Sequence, residues 1–221
     1  MIHYHGTPIT PRHKLMEMVG RHFCVSHAHP QDLKVCLKIG QSIMFDNGAF
    51  SAFTKGKPVR EQDYIDWLDP VLQHPHWAIV PDVIDGTLEQ QKNGLNNWVY
   101  PKELSAPVWH LGLPIDYLLE LVDEWPKVCL GSSGLFWNVG GSAWRRRMDE
   151  VFDVLCKRRF MPWLHGLRML GQTDWPLASA DSTNVARNHS SRAEHPEIMA
   201  SRIDAVQSIA KHKPSGQQEL F

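Results

Sequence analysis

Asp46 in SIMFDNGAF and Asp181 in PLASADSTNVARN are the residues of this chain best placed to do chemistry. Each closes a short apolar run that reads as a buried β-strand, and each is followed at once by small or turn-forming residues. That pattern sets two carboxylates at strand C-termini. In a parallel barrel the C-terminal ends of all strands converge on one mouth. Two carboxylates in such a mouth can divide a substitution between them, one as nucleophile and one as general acid/base.

The elements that must position them recur at near-regular spacing. Segments 2–5, 22–28, 42–48, 77–84, 106–112, 127–134, 161–169 and 176–182 read as strands, short and rich in Val, Ile, Phe, Trp or Leu. Their apolar runs are continuous rather than alternating, as suits strands covered on both faces. Segments 11–20, 29–40, 59–73, 114–125, 142–159 and 194–212 read as helices, several opened by Pro and closed by Gly. Strand and helix alternate, which predicts a parallel sheet with crossover helices. Eight strands predict closure into a single compact (β/α)8 TIM-like barrel over residues 1–213, with 214–221 as a flexible tail. No Gly-rich dinucleotide motif or P-loop opens a helix, which disfavours an open nucleotide-binding sheet.

Bulk composition narrows the class. The chain has 221 residues, 43% hydrophobic and 21% charged, which suits one globular domain. A net charge of −1 carries no global basic field, so nucleic acid would have to be met by a local patch. Cys24, Cys36, Cys129 and Cys156 form no CxxC pair and read as reduced thiols of a cytoplasmic protein. No apolar run is long enough to span a membrane, and no signal peptide opens the chain.

The predicted strand ends deliver a polar set to the mouth: His27 and His29, Asp46 and Asn47, Asp82 and Asp85, His110, then Gly131, Ser132 and Ser133. His165 lies on the seventh strand, and Asp181, Ser182, Thr183 and Asn184 close the eighth. SIMFDNGAFSAF resembles the segment of the tRNA-guanine transglycosylases that carries their general acid/base aspartate, and ASADSTNVARN resembles the segment with their nucleophilic aspartate. IVPDVIDG, PVWHLG, CLGSSG and WLHGL follow the order of that superfamily's base-binding segments, over roughly residues 40–190.

The resemblance implies a division of roles. Asp181 attacks the sugar, Asp46 moves the proton, and Asp82 accepts hydrogen bonds from the purine's amino and imino groups. His110 stands where the superfamily has a glutamine. Gly131 and Ser132 face the purine carbonyl, Phe50 stacks on the ring, and His165 completes the base-facing set. The chain has no cysteine after Cys156 and so lacks the zinc subdomain of the tRNA enzymes. In this it is similar to the short DpdA-type DNA 7-deazaguanine transglycosylases of phages and bacterial modification islands. The implied activity is exchange of guanine in DNA for a free 7-deazaguanine base, such as 7-cyano-7-deazaguanine, with no cofactor and no metal.

A DNA substrate requires phosphate contacts and an unstacked base. Arg145, Arg146 and Arg147, with Lys157, Arg158 and Arg159 further along the same helix, and Arg187 beside the nucleophile are the candidate cations. A helper protein that opens the duplex is a further expected partner. The tail ends QQELF, in which Gln217, Leu220 and Phe221 resemble the peptides that dock DNA enzymes on the bacterial sliding clamp. Two other classes compete. The His-rich mouth (His27, His29, His110, His165, with Asp181) broadly resembles the metal site of amidohydrolases, which would activate water. A catalytically inactive barrel that binds nucleic acid is the other.

Overall fold

The computed structural model describes residues 1–57, 60–190 and 194–208. Among these residues nine strands form one all-parallel sheet: β1 (Ile2–Gly6), β2 (His22–Ser26), β3 (Ser42–Asp46), β4 (Trp77–Ile79), β5 (Ser105–Ala106), β6 (Val108–His110), β7 (Lys127–Gly131), β8 (Trp163–Gly166) and β9 (Ser179–Ser182). Their order is β5-β4-β3-β2-β1-β9-β8-β7-β6. The two edges, β5 and β6, are consecutive in sequence with only Pro107 between them, so the sheet is barrel-like and nearly closed.

Pro107 accounts for nine strands where eight are expected. It has no N–H to give to a ladder. Ser105 and Ala106 pair with β4 on one side, and Val108–His110 pair with β7 on the other. The Pro107 carbonyl still accepts from the Cys129 amide at 2.8 Å, bridging the seam.

Nine helices accompany the strands among the described residues: α1 (Arg12–Leu15), α2 (Leu33–Ile39), α3 (Ala49–Thr54), α4 (Glu61–Leu68), α5 (Leu88–Asn96), α6 (Ile115–Glu124), α7 (Ser142–Leu155), α8 (Asn184–Asn188) and α9 (Pro196–Asp204). The predicted helices are all present but shorter. Residues 11–20 split into α1 and a 3₁₀ turn at Met16–Met18, and α9 stops at Asp204 rather than 212. Three helices were not expected. Of these, α5 (LEQQKNGLN) lacks an apolar stripe and starts on a capping box, in which Thr87 and Gln90 satisfy each other's backbone amides. No helix joins β8 to β9. No helix among the described residues is long and apolar enough to cross a membrane. Val59 and the tail residues Gln217, Leu220 and Phe221 lie outside the described residues.

Strand alternation sorts the core into layers. Inside the sheet, Tyr4, Cys24, Met44, Trp77, Ile79, Ala106, Val108 and Cys129 pack together. The Tyr4 hydroxyl accepts from Trp77 Nε1 at 2.9 Å and from Ser42 Oγ at 3.2 Å, which pins this plug. Outside, α6 and α7 cover β6–β8, while α1, α2, α4 and α9 cover β1–β3. All four cysteines are free, with Cys24, Cys36 and Cys129 buried and Cys156 partly so.

On β1, Tyr4 faces inward, and His3 and His5 face α9, where His5 Nε2 meets Asp204 Oδ1 at 3.0 Å. His3 is buried, and neither ring nitrogen has a hydrogen-bond partner among the described residues. Burial pushes its pKa down to about 4, against the opposing pull of Asp204. A depressed histidine contributes stability that is complete above its unfolded value, near 6.5, and is lost as pH falls through about 4. We expect His3→Leu to remove this acid sensitivity, so that the melting temperatures of variant and parent diverge between pH 6.5 and 4 in the variant's favour, by on the order of 2–3 kcal/mol at the acid end. Parallel pH–stability curves would refute the assignment.

Candidate active site

The C-terminal ends of the strands enclose a cleft of about 950 Å³, within the usual range for ligand sites. Asp46 from β3, Asp82 after β4, His110 from β6, Gly131 from β7 and Asp181 from β9 all line it, with Ser132, Phe50 and Arg187. Asp46, Asp82 and Asp181 thus share one cavity, floored by the apolar plug, whereas Asp85 does not line it.

Asp46 Oδ1 accepts from Ser26 Oγ at 2.8 Å and from the Gly48 amide at 2.7 Å. Gly48 holds φ +77°, and a Cβ there would press on Ala28, so the tight DNG turn that delivers this amide requires glycine. Desolvation nevertheless dominates, and with the charges of Asp181 and Asp82 it raises the Asp46 pKa to about 6. This carboxyl can both hold and release a proton near neutrality.

Asp181 is held differently. Its Oδ1 accepts from the Arg168 amide at 2.9 Å and faces His165 Nε2 at 3.3 Å. Trp163 Nε1 donates to Ser179 Oγ at 3.0 Å, and Ser179 Oγ lies 2.8 Å from His165 Nδ1. A carboxylate oxygen can only accept, so the contact with Asp181 puts the His165 proton on Nε2; Nδ1 then accepts the Ser179 hydroxyl proton, and Ser179 Oγ in turn accepts from the indole N–H. Asp181 Oδ2 has no hydrogen-bond partner among the described residues. Arg168 adopts φ +60°, the left-handed region a non-glycine residue rarely occupies, and its amide serves Asp181 from there.

Asp82 is paired. Asn47 Nδ2 donates to its Oδ1, and His110 Nε2 lies 2.8 Å from its Oδ2. Each oxygen keeps a second lone pair for a ligand. Gly131 packs directly beneath His110, where an added Cβ would sit 2.9 Å from the imidazole Nδ1.

Several predicted roles need correction. His165 is fully buried behind Asp181 and does not line the cleft, so it orients the carboxylate rather than a base. The Ser132 hydroxyl accepts from Trp144 Nε1 and its carbonyl from Arg168 Nη2, which fixes both groups and leaves the hydroxyl proton for a ligand in the cleft. Arg147 donates to the Leu111 and Leu113 carbonyls and stacks over Trp109, which makes it a structural clamp. Lys157 and Arg158 follow the far end of α7, about 20 Å of helix from the mouth, and Arg158 pairs with Asp123. Arg145 is held by Asp174 at 3.0 Å, whereas Arg146 is exposed with no partner among the described residues. Arg187 lines the cleft with no partner among the described residues.

Phe50 does reach the lip, but it stacks on Trp137, with ring centroids 5.4 Å apart. The Arg168 guanidinium caps both rings, 5.1 Å and 4.4 Å from their centroids. Arg168 and Trp137 lie one residue beyond WLHGL and three beyond CLGSSG, and neither type nor spacing singles them out.

The amidohydrolase-like arrangement does not form. His27 packs against Tyr64 and Trp67, while His110 and His165 are engaged with Asp82 and Asp181. Among the described residues, no group of three or more His, Cys, Asp or Glu side chains is arranged to hold a metal ion. Cys24 also lines the cleft, but burial and the charges of Asp181 and Asp46 push its thiol well above the ordinary range, so it is not a thiolate nucleophile. No protein-family model, curated protein or solved structure matches this chain.

Asp46→Asn tests the electrostatics. A carboxylate whose folded pKa is raised weakens the fold above about pH 6 and has no such cost below about 4. The variant should therefore be more stable than the parent at pH 8, by on the order of 1–2 kcal/mol, and the gain should vanish at pH 4. A variant equally or less stable at pH 8 would sink the assignment. Gly131→Ala should displace His110, detected as loss of the chemical-shift signature of its Asp82 pairing in the imidazole NMR spectrum.

Proposed function

We propose that this protein is a base-exchange transglycosylase acting on guanine in DNA through a covalent aspartyl-glycosyl intermediate. The observation that carries the reading is the inequality of two carboxylates in one cleft. Asp181 is oriented through one oxygen and leaves the other free, while Asp46 is poised near pH 6. The fold is then a (β/α)8 barrel, in which β5 and β6 count as one strand interrupted at Pro107 and the β8–β9 crossover has lost its helix.

The chemistry balances on these groups. Asp181 Oδ2 attacks C1′ of the target nucleotide and the C1′–N bond breaks, its electron pair leaving with the purine. Asp46 gives its proton to the departing nitrogen. The incoming 7-deazaguanine gives its ring N–H proton to the Asp46 carboxylate and attacks C1′, releasing Asp181. Two displacements retain the sugar configuration. Asp82 accepts from the amino and imino edge of either base, with its direction fixed by His110 and Asn47. The Phe50–Trp137 pair at the lip, capped by Arg168, supplies a stacking surface, and Arg187 and Arg146 are the cations that meet phosphate. DNA, a free 7-deazaguanine base, a duplex-opening helper protein and the sliding clamp are the proposed partners, the last through residues outside those described.

Incubation with guanine-containing DNA and 7-cyano-7-deazaguanine should yield the modified nucleoside by mass spectrometry. Asp181→Ala should abolish both exchange and any trapped protein–DNA adduct. Asp46→Asn should lower exchange by at least 10²-fold, the usual scale for a lost general acid. Because departure of guanine needs Asp46 protonated, its release from DNA should fall as pH rises through about 6. An adduct on any residue but Asp181 would overturn the mechanism, and absence of exchange in every context would overturn the activity. Ser179→Ala frees the His165 tautomer and should reduce turnover while leaving DNA affinity unchanged.

A further inference from the structure

A second cavity of about 410 Å³ lies beside the cleft and shares three wall residues with it, Ala49, Asp82 and Ile84. The two cavities therefore meet along these residues. The cavity's other wall is one face of α5, which presents Gln90, Asn93 and Asn97, spaced three and four apart so that they line up along the helix. The Gln90 carboxamide oxygen is spent on the Thr87 amide of the capping box. The Asn93 and Asn97 carboxamides are exposed and make no side-chain hydrogen bond among the described residues.

Opposite them stands Phe53 of α3, an aromatic ring 49% exposed. The charged residues on the walls, Lys57, Glu61 and Asp82, do not sum to an excess of positive charge, so this is no phosphate site. A backbone anchor holds the cavity's shape: the buried Gln91 side chain donates to the Val83 carbonyl at 2.6 Å and accepts from the Val83 amide at 3.2 Å. Gly94 is required there, since a Cβ would lie 2.9 Å from the Pro81 carbonyl oxygen.

A planar ligand with hydrogen-bonding edges fits such walls. Carboxamides both donate and accept, which matches the edge of a nucleobase, and an exposed Phe offers a face on which a base stacks. The volume is ample for a nucleobase, and the cavity adjoins the main cleft along Ala49, Asp82 and Ile84. We infer that this cavity seats the base of the nucleotide next to the target, with Phe53 stacking on it and Asn93 and Asn97 reading its edge. The inference rests on the proposed nucleic-acid substrate and adds to it a source of sequence preference.

The test is a binding measurement, independent of catalysis. Fluorescence anisotropy is read with short single-stranded oligodeoxynucleotides carrying one guanine and each of the four bases, in turn, on either side of it. The wild-type protein should favour one neighbour by about tenfold at one flank and discriminate little at the other. The double variant N93A/N97A alters only exposed side chains, and it should lose that preference while binding the disfavoured sequences as before. F53A should weaken all sequences alike, by about tenfold, because stacking is tolerant of base identity. Equal affinity for all neighbours, or a preference that persists in N93A/N97A, would overturn the inference whether or not the protein exchanges bases. Lack of exchange with an intact, Asn-dependent preference would instead overturn the transglycosylase reading and leave this site standing.

Discussion

Like charge is the constraint around which this molecule is built. A nearly closed parallel sheet forces the ends of its strands together, and three of those ends carry Asp46, Asp82 and Asp181. Three bare carboxylates in one cleft would repel one another and drive at least one to hold its proton. Each is relieved in its own way. Asp82 takes a histidine and an asparagine, and Asp181 takes a backbone amide and a histidine N–H. Asp46 receives a hydroxyl and one amide, which do not outweigh its desolvation, and its neighbours' charges push the same way, so it keeps a proton up to about pH 6. Differences in relief become differences in chemical role.

The relief is supplied from beneath as much as from the cleft walls. Tyr4 and Trp77 fill the barrel interior and contact the His165 ring edge-on, at 5.7 Å and 5.2 Å between centroids. The imidazole under Asp181 therefore rests on a packed aromatic floor rather than on solvent. Arg168 links floor to lip: its amide serves Asp181, its guanidinium holds the Ser132 carbonyl, and the same guanidinium caps Trp137 and Phe50. One strained residue thus ties the orientation of Asp181 to the rim of the cleft.

Much of this was legible in the sequence. Strands show themselves through short apolar runs, and Asp46, Asp82, His110, Gly131 and Asp181 were placed at the mouth because each terminates such a run. The split at Pro107 was readable in principle, since a proline cannot donate within a ladder. Helix α5 was not, because capping and a buried glutamine hold it in place of an apolar stripe. Nor could spacing reveal which cations are free. Arg145, Arg146 and Arg147 are identical by type, yet their helical phases send one to an aspartate, one to solvent and one to two carbonyls. His165 reads as a mouth residue in sequence, but it lies buried behind Asp181, because the face a strand residue takes depends on register.

That register carries a further meaning. His165 and Ser179 are opposite one another in the β8–β9 ladder, and the same two residues form the middle of the donor chain from Trp163 to Asp181. Backbone pairing and side-chain orientation are therefore one alignment written twice. A change that slips β9 by one residue would turn Asp181 away from the mouth and break the chain at once. Over evolutionary time such a site can drift at its rim, where Phe50 and Arg187 stand on separate helices, but the pair of strands beneath it can only be inherited whole.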